Sequence, residues 1–250
     1  MIIRDLHVHT TYSDGKDSPE EVVLSAIEKG ISTIGFSDHS YTHFDESYCM
    51  GKERVEEYIK EINALKEKYR GKIEILCGIE QDFYSDYPTD RFDFVIGSVH
   101  YFKFGDTYVS VDESKKILEN AAKEFCGGDI YILIEEYYKC VAKVAKKTKA
   151  DIIGHFDLIT KFNENGEIFD TKHPRYIKAV QAAADELITA NIPFEINTGA
   201  ISRGYRTTPY PEDSIIEYIK SKGGRFILAS DSHSADTVAF GFRDFYERAN

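Results

Sequence analysis

The chain has 250 residues, 42% of them hydrophobic, enough to bury one barrel-sized core, and a formal net charge of −12 from 43 acidic and 31 basic residues. That balance works against charge-driven binding of long nucleic acids or an anionic membrane surface and leaves a small substrate as the default partner. No run of about 18 apolar residues exists, and the opening MIIRDLHVHT has neither the basic nor the long apolar region of a leader, so a soluble, cytoplasmic protein is expected.

The first expected strand runs from Ile2 to His7. Ser18-Pro19-Glu20-Glu21 then opens a helix: Ser18 can cap it, Pro19 suits its first position, Glu21 completes a capping box, and Gly30 stops it. Strands follow at Thr33 to Ser37, Ile73 to Ile79 and Phe94 to Val99, each largely apolar as a buried strand should be. Between the second and third lies a charge-rich amphipathic helix, Lys52 to Tyr69. Lys103 to Asp129 reads as an insertion with its own helix. Beyond it the alternation resumes with a helix over Ile130 to Thr148, a strand over Asp151 to His155, a helix over Pro174 to Ala190 and a strand over Pro193 to Asn197. A helix over Pro211 to Lys222 and a strand over Arg225 to Ala229 complete the series. Short buried strands alternating with outer helices are the signature of βαβ units around a parallel sheet. No linker, low-complexity tract or repeat divides the chain, so residues 1–250 are expected to form a single domain. Cys49, Cys77, Cys126 and Cys140 show no CxxC spacing, which points to free thiols.

The chemistry lies at the strand ends. His7, His39, His100 and His155 stand at or just beyond the ends of four strands, with His9 and His233 close behind, so six of the eight histidines fall on one expected rim. In a β/α barrel that rim is the face where catalytic groups gather. Glu80 follows Ile79, Asp38 precedes His39, Asp231 follows Ala229, and Asn197 ends its strand. His7-Val8-His9 and Asp231-Ser232-His233 each place two ligand-type residues on one side of an extended segment, and Asp14 stands in the turn TTYSDG. Crowding imidazoles and carboxylates without a cation would leave costly desolvated groups, so the set reads as metal ligands. His43 and His173 read as structural or surface residues. A phosphate ester would also need cationic groups, for which Lys161, Arg203 and Arg206 are the candidates. No GxSxG elbow, phosphatase cysteine loop or GxxxxGK[ST] cradle exists, so attack must come from metal-activated water.

Taken together, DLHVHTTYSDG, GFSDHS, GIEQDF, GSVHY, GHFDLITKF, EINTGA and ASDSH resemble the polymerase and histidinol phosphatase (PHP) superfamily over nearly the whole chain, and its histidinol-phosphate phosphatases in particular. The resemblance implies an α/β fold, a distorted seven-stranded β/α (TIM-like) barrel. It implies one metal held by His7, His9, Glu80 and Asp231, a second by Glu80, His100 and His155, and a third by Asp14, His39 and His233. The cofactors implied are two to three divalent ions, Zn, Mn or Fe. The implied reaction is hydrolysis of a small phosphorylated substrate, L-histidinol phosphate, by metal-activated hydroxide. Glu80 and His233 are then catalytic, Arg203 clamps the phosphate with Arg206 or Lys161, and Asp38 and Asp157 orient imidazoles. Tyr101 and Tyr205 are candidates for contacts to the alcohol portion. The rival readings are another phosphoesterase acting on phosphotyrosine protein or nucleotides, a non-catalytic metal-binding regulatory domain, and an amide or deaminase-type hydrolase. Oligomeric state is open.

Overall fold

The computed structural model describes residues 3–249; Ile2, the expected start of the first strand, lies outside them. Among the described residues the first four strands are β1 (Arg4–Asp5), β2 (Thr33–Phe36), β3 (Glu74–Asp82) and β4 (Phe94–Ser98). The insertion forms an antiparallel hairpin, β5 (Tyr101–Phe104) with β6 (Thr107–Ser110), and three more strands follow, β7 (Ile152–Ile153), β8 (Phe194–Asn197) and β9 (Phe226–Ala229). The sheet order is β1-β2-β3-β4-β7-β8-β9, parallel at every pairing. It closes into a distorted seven-stranded β/α barrel through a parallel bridge between Val8 and Ser232. There the His9 amide donates to the Ser232 carbonyl (2.8 Å) and the Ser232 amide to the His7 carbonyl (3.2 Å). Below that bridge the buried Asp5 carboxylate stitches the seam, accepting from the Ser230 amide (3.1 Å) and hydroxyl (2.5 Å) and the Ala239 amide (2.8 Å).

Inside the barrel Leu76, Gly78 and Glu80 point inward by strand alternation. Gly78 pairs with Phe94 and Glu80 with Ile96. A β-carbon on Gly78 would lie 2.3 Å from the Phe94 ring and one on Gly35 2.8 Å from it, so the two glycines clear the space that this ring fills across the barrel floor. Glu80 is therefore part of β3, which continues to Asp82, and does not follow a strand ending at Ile79.

The helices are α1 (Pro19–Glu28), α2 (Val55–Lys68), α3 (Lys115–Cys126), α4 (Ile130–Val141), α5 (Val144–Thr148), α6 (Pro174–Ile188), α7 (Gly199–Ser202), α8 (Asp213–Ser221) and α9 (Phe242–Ala249). The capping box of α1 forms as expected: Ser18 Oγ accepts from the Glu21 amide, and Glu21 accepts from the Ser18 amide at 2.8 Å. The single helix expected over Ile130 to Thr148 is broken at Ala142 and Lys143. α4 packs on α6, whereas α5 turns to cover β4 and β7. Two buried clusters line the outer face of the sheet. One gathers Val22 of α1 and Tyr58 and Ile62 of α2 with Phe36 of β2, and the other gathers Tyr137 and Tyr138 of α4 with Phe102, Phe156 and Phe194. Full burial of each such apolar side chain contributes about 1.5–3 kcal/mol before entropy is charged against it. All four cysteines are free thiols, and among the described residues no helix is long and apolar enough to cross a membrane.

One pH effect follows from the packing under α8. Burial, reinforced by the neighbouring Asp157 carboxylate, pushes Glu212 up to about 7. A carboxyl raised in the folded state binds more protons there than in the unfolded chain, so its contribution to stability falls as pH rises from the usual glutamate range to about 7. Glu212→Gln should gain roughly 1–2 kcal/mol over the parent at pH 8, discounted for partial solvation, and the gap should close near pH 4.5. Urea melts of both proteins at the two pH values check this; an equal gap at both would remove Glu212 titration as its cause.

Candidate metal centre

The rim above the barrel floor collects one polar group after another from successive strand ends. Glu80, 1% exposed, sits at its centre. Its Oε2 lies 2.8 Å from His39 Nδ1, 3.4 Å from His7 Nε2 and 3.6 Å from His9 Nε2. Its Oε1 lies 3.0 Å from His155 Nε2 and 3.5 Å from His100 Nε2. Five imidazoles thus surround one carboxylate, divided between its two oxygens. Asp231 Oδ1 comes within 3.3 Å of His9 Nε2 and 3.7 Å of His7 Nε2. Asp231 has φ +48°, a left-handed conformation that costs a non-glycine residue energy and aims this carboxylate. On the outer side Asp14 lies 3.2 Å from His233 Nε2, 3.7 Å from His39 Nε2 and 3.8 Å from His9 Nδ1.

Ligand-type atoms come together within 4.8 Å in three sets: His7, His9 and Glu80; His39, Glu80 and His100; and His9, Asp14, His39 and His233. Among the described residues these sets hold seven of the nine expected ligands, and His155 and Asp231 join the same rim through Glu80 Oε1 and His9 Nε2. The grouping differs from that implied by the resemblance in two places: His39 also faces Glu80, and His9 presents its second nitrogen to Asp14.

The donor atoms fit divalent cations. His7 Nε2, both ring nitrogens of His9 and Glu80 Oε2 are buried without an aligned hydrogen-bond partner, a condition that a cation would relieve. The electrostatics agree. Burial, with the charges of His233 and His39 behind it, lowers His9 to about 3. Burial also resists charging His100, but Glu80 and Asp82 outweigh it and raise that imidazole to about 9. For Glu80 burial favours the neutral acid, yet His39, His7 and His100 hold it well below the usual carboxylate range.

The groups that orient the imidazoles are not those expected. Asp38 accepts from the amides and hydroxyls of Thr10 and Ser13 at 2.6–3.1 Å, fixing the turn that carries Asp14. Asp157 accepts from the Glu212 amide. Neither bonds an imidazole. Glu195 does, with Oε1 2.7 Å from His7 Nδ1 and Oε2 accepting from the His155 amide and the Asn197 side chain. Asp82 does the same for His100 Nδ1 at 3.3 Å. The signal for Glu195 was present in PFEIN, where a glutamate two residues from Asn197 faces the barrel interior in an otherwise apolar strand.

A cavity of about 340 Å³ opens onto this rim, lined among others by Arg203, Lys161, Tyr205 and Tyr101. Arg203 Nη1 donates to the Asp231 carbonyl (2.9 Å) and contacts His233 Nδ1 (2.6 Å), and Nη2 pairs with Asp231 Oδ2 (3.1 Å). Arg206, expected to bind substrate, is instead buried. It donates to the carbonyls and hydroxyls of Thr160 and Thr208, stacks over Tyr210, and does not line the cavity. His43 meets Phe44 and Tyr108, and His173 caps α6 and stacks on Tyr131, as their structural reading anticipated.

Fold and rim together define a β/α barrel of the metal-binding kind, in which the ends of sequence-distant strands bring together imidazoles and carboxylates that could hold divalent cations. Comparison with known proteins makes this specific: a family model described as PHP domain matches residues 5–199, and the chain belongs to that family. A histidinol-phosphatase of Bacillus subtilis is 26% identical, the alignment covering 98% of both chains. A crystal structure from Listeria monocytogenes superposes with a TM-score of 0.81 at 20% identity, over 97% of this chain and 99% of that one. The histidinol phosphate phosphatase of Lactococcus lactis, solved with zinc, L-histidinol and phosphate, gives 0.68 at 22% identity over 99% and 92%.

Proposed function

We propose that this chain is a metal-dependent phosphomonoesterase that hydrolyses L-histidinol phosphate to L-histidinol and phosphate. The observation that carries the reading is the orphaned imidazole and carboxylate cluster opening, beside Arg203, onto a cavity sized for a small ester. Relatives named for this activity, aligned over nearly the full length, support the substrate. In this reading His7, His9, Glu80 and Asp231 hold one ion, Glu80, His100 and His155 a second, and Asp14, His39 and His233 a third, with Zn, Mn or Fe as the ions. Divalent ions so held lower the pKa of water into the neutral range and offset charge on phosphate oxygens. Glu80 keeps its two oxygens on different groups of imidazoles, and Glu195 and Asp82 fix the rings of His7 and His100. Arg203 leaves part of its pairing with Asp231 and His233 to clamp the phosphate, with Lys161 as the second cation. With His233 Nε2 at the third ion and Nδ1 facing Arg203, that ring has no proton to give in this reading, and the departing alkoxide takes its proton from water in the site. One domain over residues 1–250 and a cytoplasmic setting belong to the same proposal.

Phosphate release is to be measured from L-histidinol phosphate, a phosphotyrosine peptide, nucleotides and simple esters, after reconstitution with Mn, Zn or Fe. Strong preference for L-histidinol phosphate is the expected result. Preference for another ester would overturn the substrate, and no turnover with ions demonstrably bound would overturn the enzyme reading.

A further inference from the structure

The wall of the cavity carries an ion pair that the metal cluster does not use. Asp112 lies just after β6, outside every motif that carries a ligand, and its Oδ2 accepts from Lys161 Nζ at 3.3 Å. The pair is largely withdrawn from water, with side chains 12% exposed for Lys161 and 29% for Asp112. Lys161 is also held 4.7 Å over the ring of Tyr205. Asp112 and Lys161 line the same cavity as His100 and His155, the two imidazoles that face Glu80 Oε1. The wall around it is braced. Tyr101 donates to Asp45 at 2.6 Å, and Phe44 of the loop after β2 stacks on Tyr108 of the hairpin at 3.7 Å.

A preformed pair at a phosphate site creates an energetic choice. A phosphate arriving at Lys161 must displace Asp112, and a carboxylate left unpaired in a poorly solvated cavity is costly. We propose that Lys161 and Asp112 form an exchangeable ion pair that selects phosphate esters of β-amino alcohols, the substrate phosphate replacing Asp112 at Lys161 while its ammonium replaces Lys161 at Asp112. In such an ester the amino group and the ester oxygen sit on adjacent carbons, so its two charges are separated on the few-ångström scale of the pair itself. An ester without the amine makes the first exchange but not the second and leaves Asp112 uncompensated. Asp112 is on this account a specificity-determining residue. The inference rests on the phosphomonoesterase reading above.

The test compares wild type with Asp112→Asn on two esters, L-histidinol phosphate and imidazolylpropyl phosphate, which lacks the amino group. The ratio of kcat/KM for the aminated over the amine-free ester should fall by roughly tenfold or more in the variant, the change residing in KM. Because both esters are read on one preparation, the ratio is insensitive to the fraction folded. Inorganic phosphate, titrated calorimetrically, should bind the variant more tightly, since Lys161 is no longer occupied. Asp112→Glu should restore part of the ratio. An unchanged ratio, or weaker phosphate binding, overturns the inference while leaving the wild-type activity in place. Wild type inactive on both esters overturns the functional reading and this inference with it.

Discussion

Replacing Glu80 by Gln should lower kcat/KM on the order of 10³-fold or more, about 4 kcal/mol of transition-state stabilisation, while the barrel stays folded. The side chain keeps its volume, so the layer above Gly78 and Phe94 is undisturbed. What disappears is the charge on which five imidazoles converge, together with one of two acceptor oxygens, replaced by an NH₂ that can bind no cation. Metal content by elemental analysis should fall with activity, and circular dichroism should be unchanged. A variant with near-normal turnover and full metal content would sink the assignment of Glu80 as the shared ligand.

Removing the divalent ions should cost stability on a comparable scale. Ions present at about a thousand times their dissociation constant stabilise the folded state by about 4 kcal/mol, which for a chain of this size is on the order of 10 °C in Tm. The structural basis is the set of buried ring nitrogens and the Glu80 oxygen that have no other aligned partner. Calorimetric melts before and after chelation, followed by titration of Zn or Mn back into the sample, measure the difference. An unchanged Tm for protein shown to have lost its ions would mean that the cluster satisfies itself through proton sharing among its imidazoles and carboxylates.

Much of this architecture was legible because period and punctuation coincide with function in a barrel. The strands at Thr33, Phe94, Pro193 and Arg225 were found nearly to the residue, and the Ser18 cap formed as its sequence dictates. Glu80 was set outside its strand because a charge reads as an end of burial; only the inward parity from Leu76 through Gly78 reveals it as interior. The break between α4 and α5 was hidden because helical propensity runs across it, and the turn is imposed by what α5 must cover. α9 places Phe242, Phe245, Tyr246 and Ala249 at helical spacing, a period that eight residues carry too briefly to stand out in the sequence. At the site, residue type and strand position were enough to place the candidate ligands on one rim. They were not enough to separate Arg203 from Arg206, three residues apart, because the pull on Arg206 comes from Thr160, Thr208 and Tyr210 across the fold. Asp112 carried no motif at all, and only the return of the hairpin places it beside Lys161.

The seam between Val8 and Ser232 has a consequence for the order in which this protein matures. His7, His9 and Glu80 leave the ribosome before Asp231 and His233, which arrive 151 residues or more after Glu80. At about 5–20 residues per second that is a delay of roughly 8–30 s. Throughout that interval a nascent chain can offer cations only a partial cage, without the Asp231 carboxylate that faces His7 and His9 and without the His233 ring that faces Asp14. Closing that cage therefore waits on β9 and the Val8–Ser232 seam, so that a complete set of these groups reports on a closed barrel.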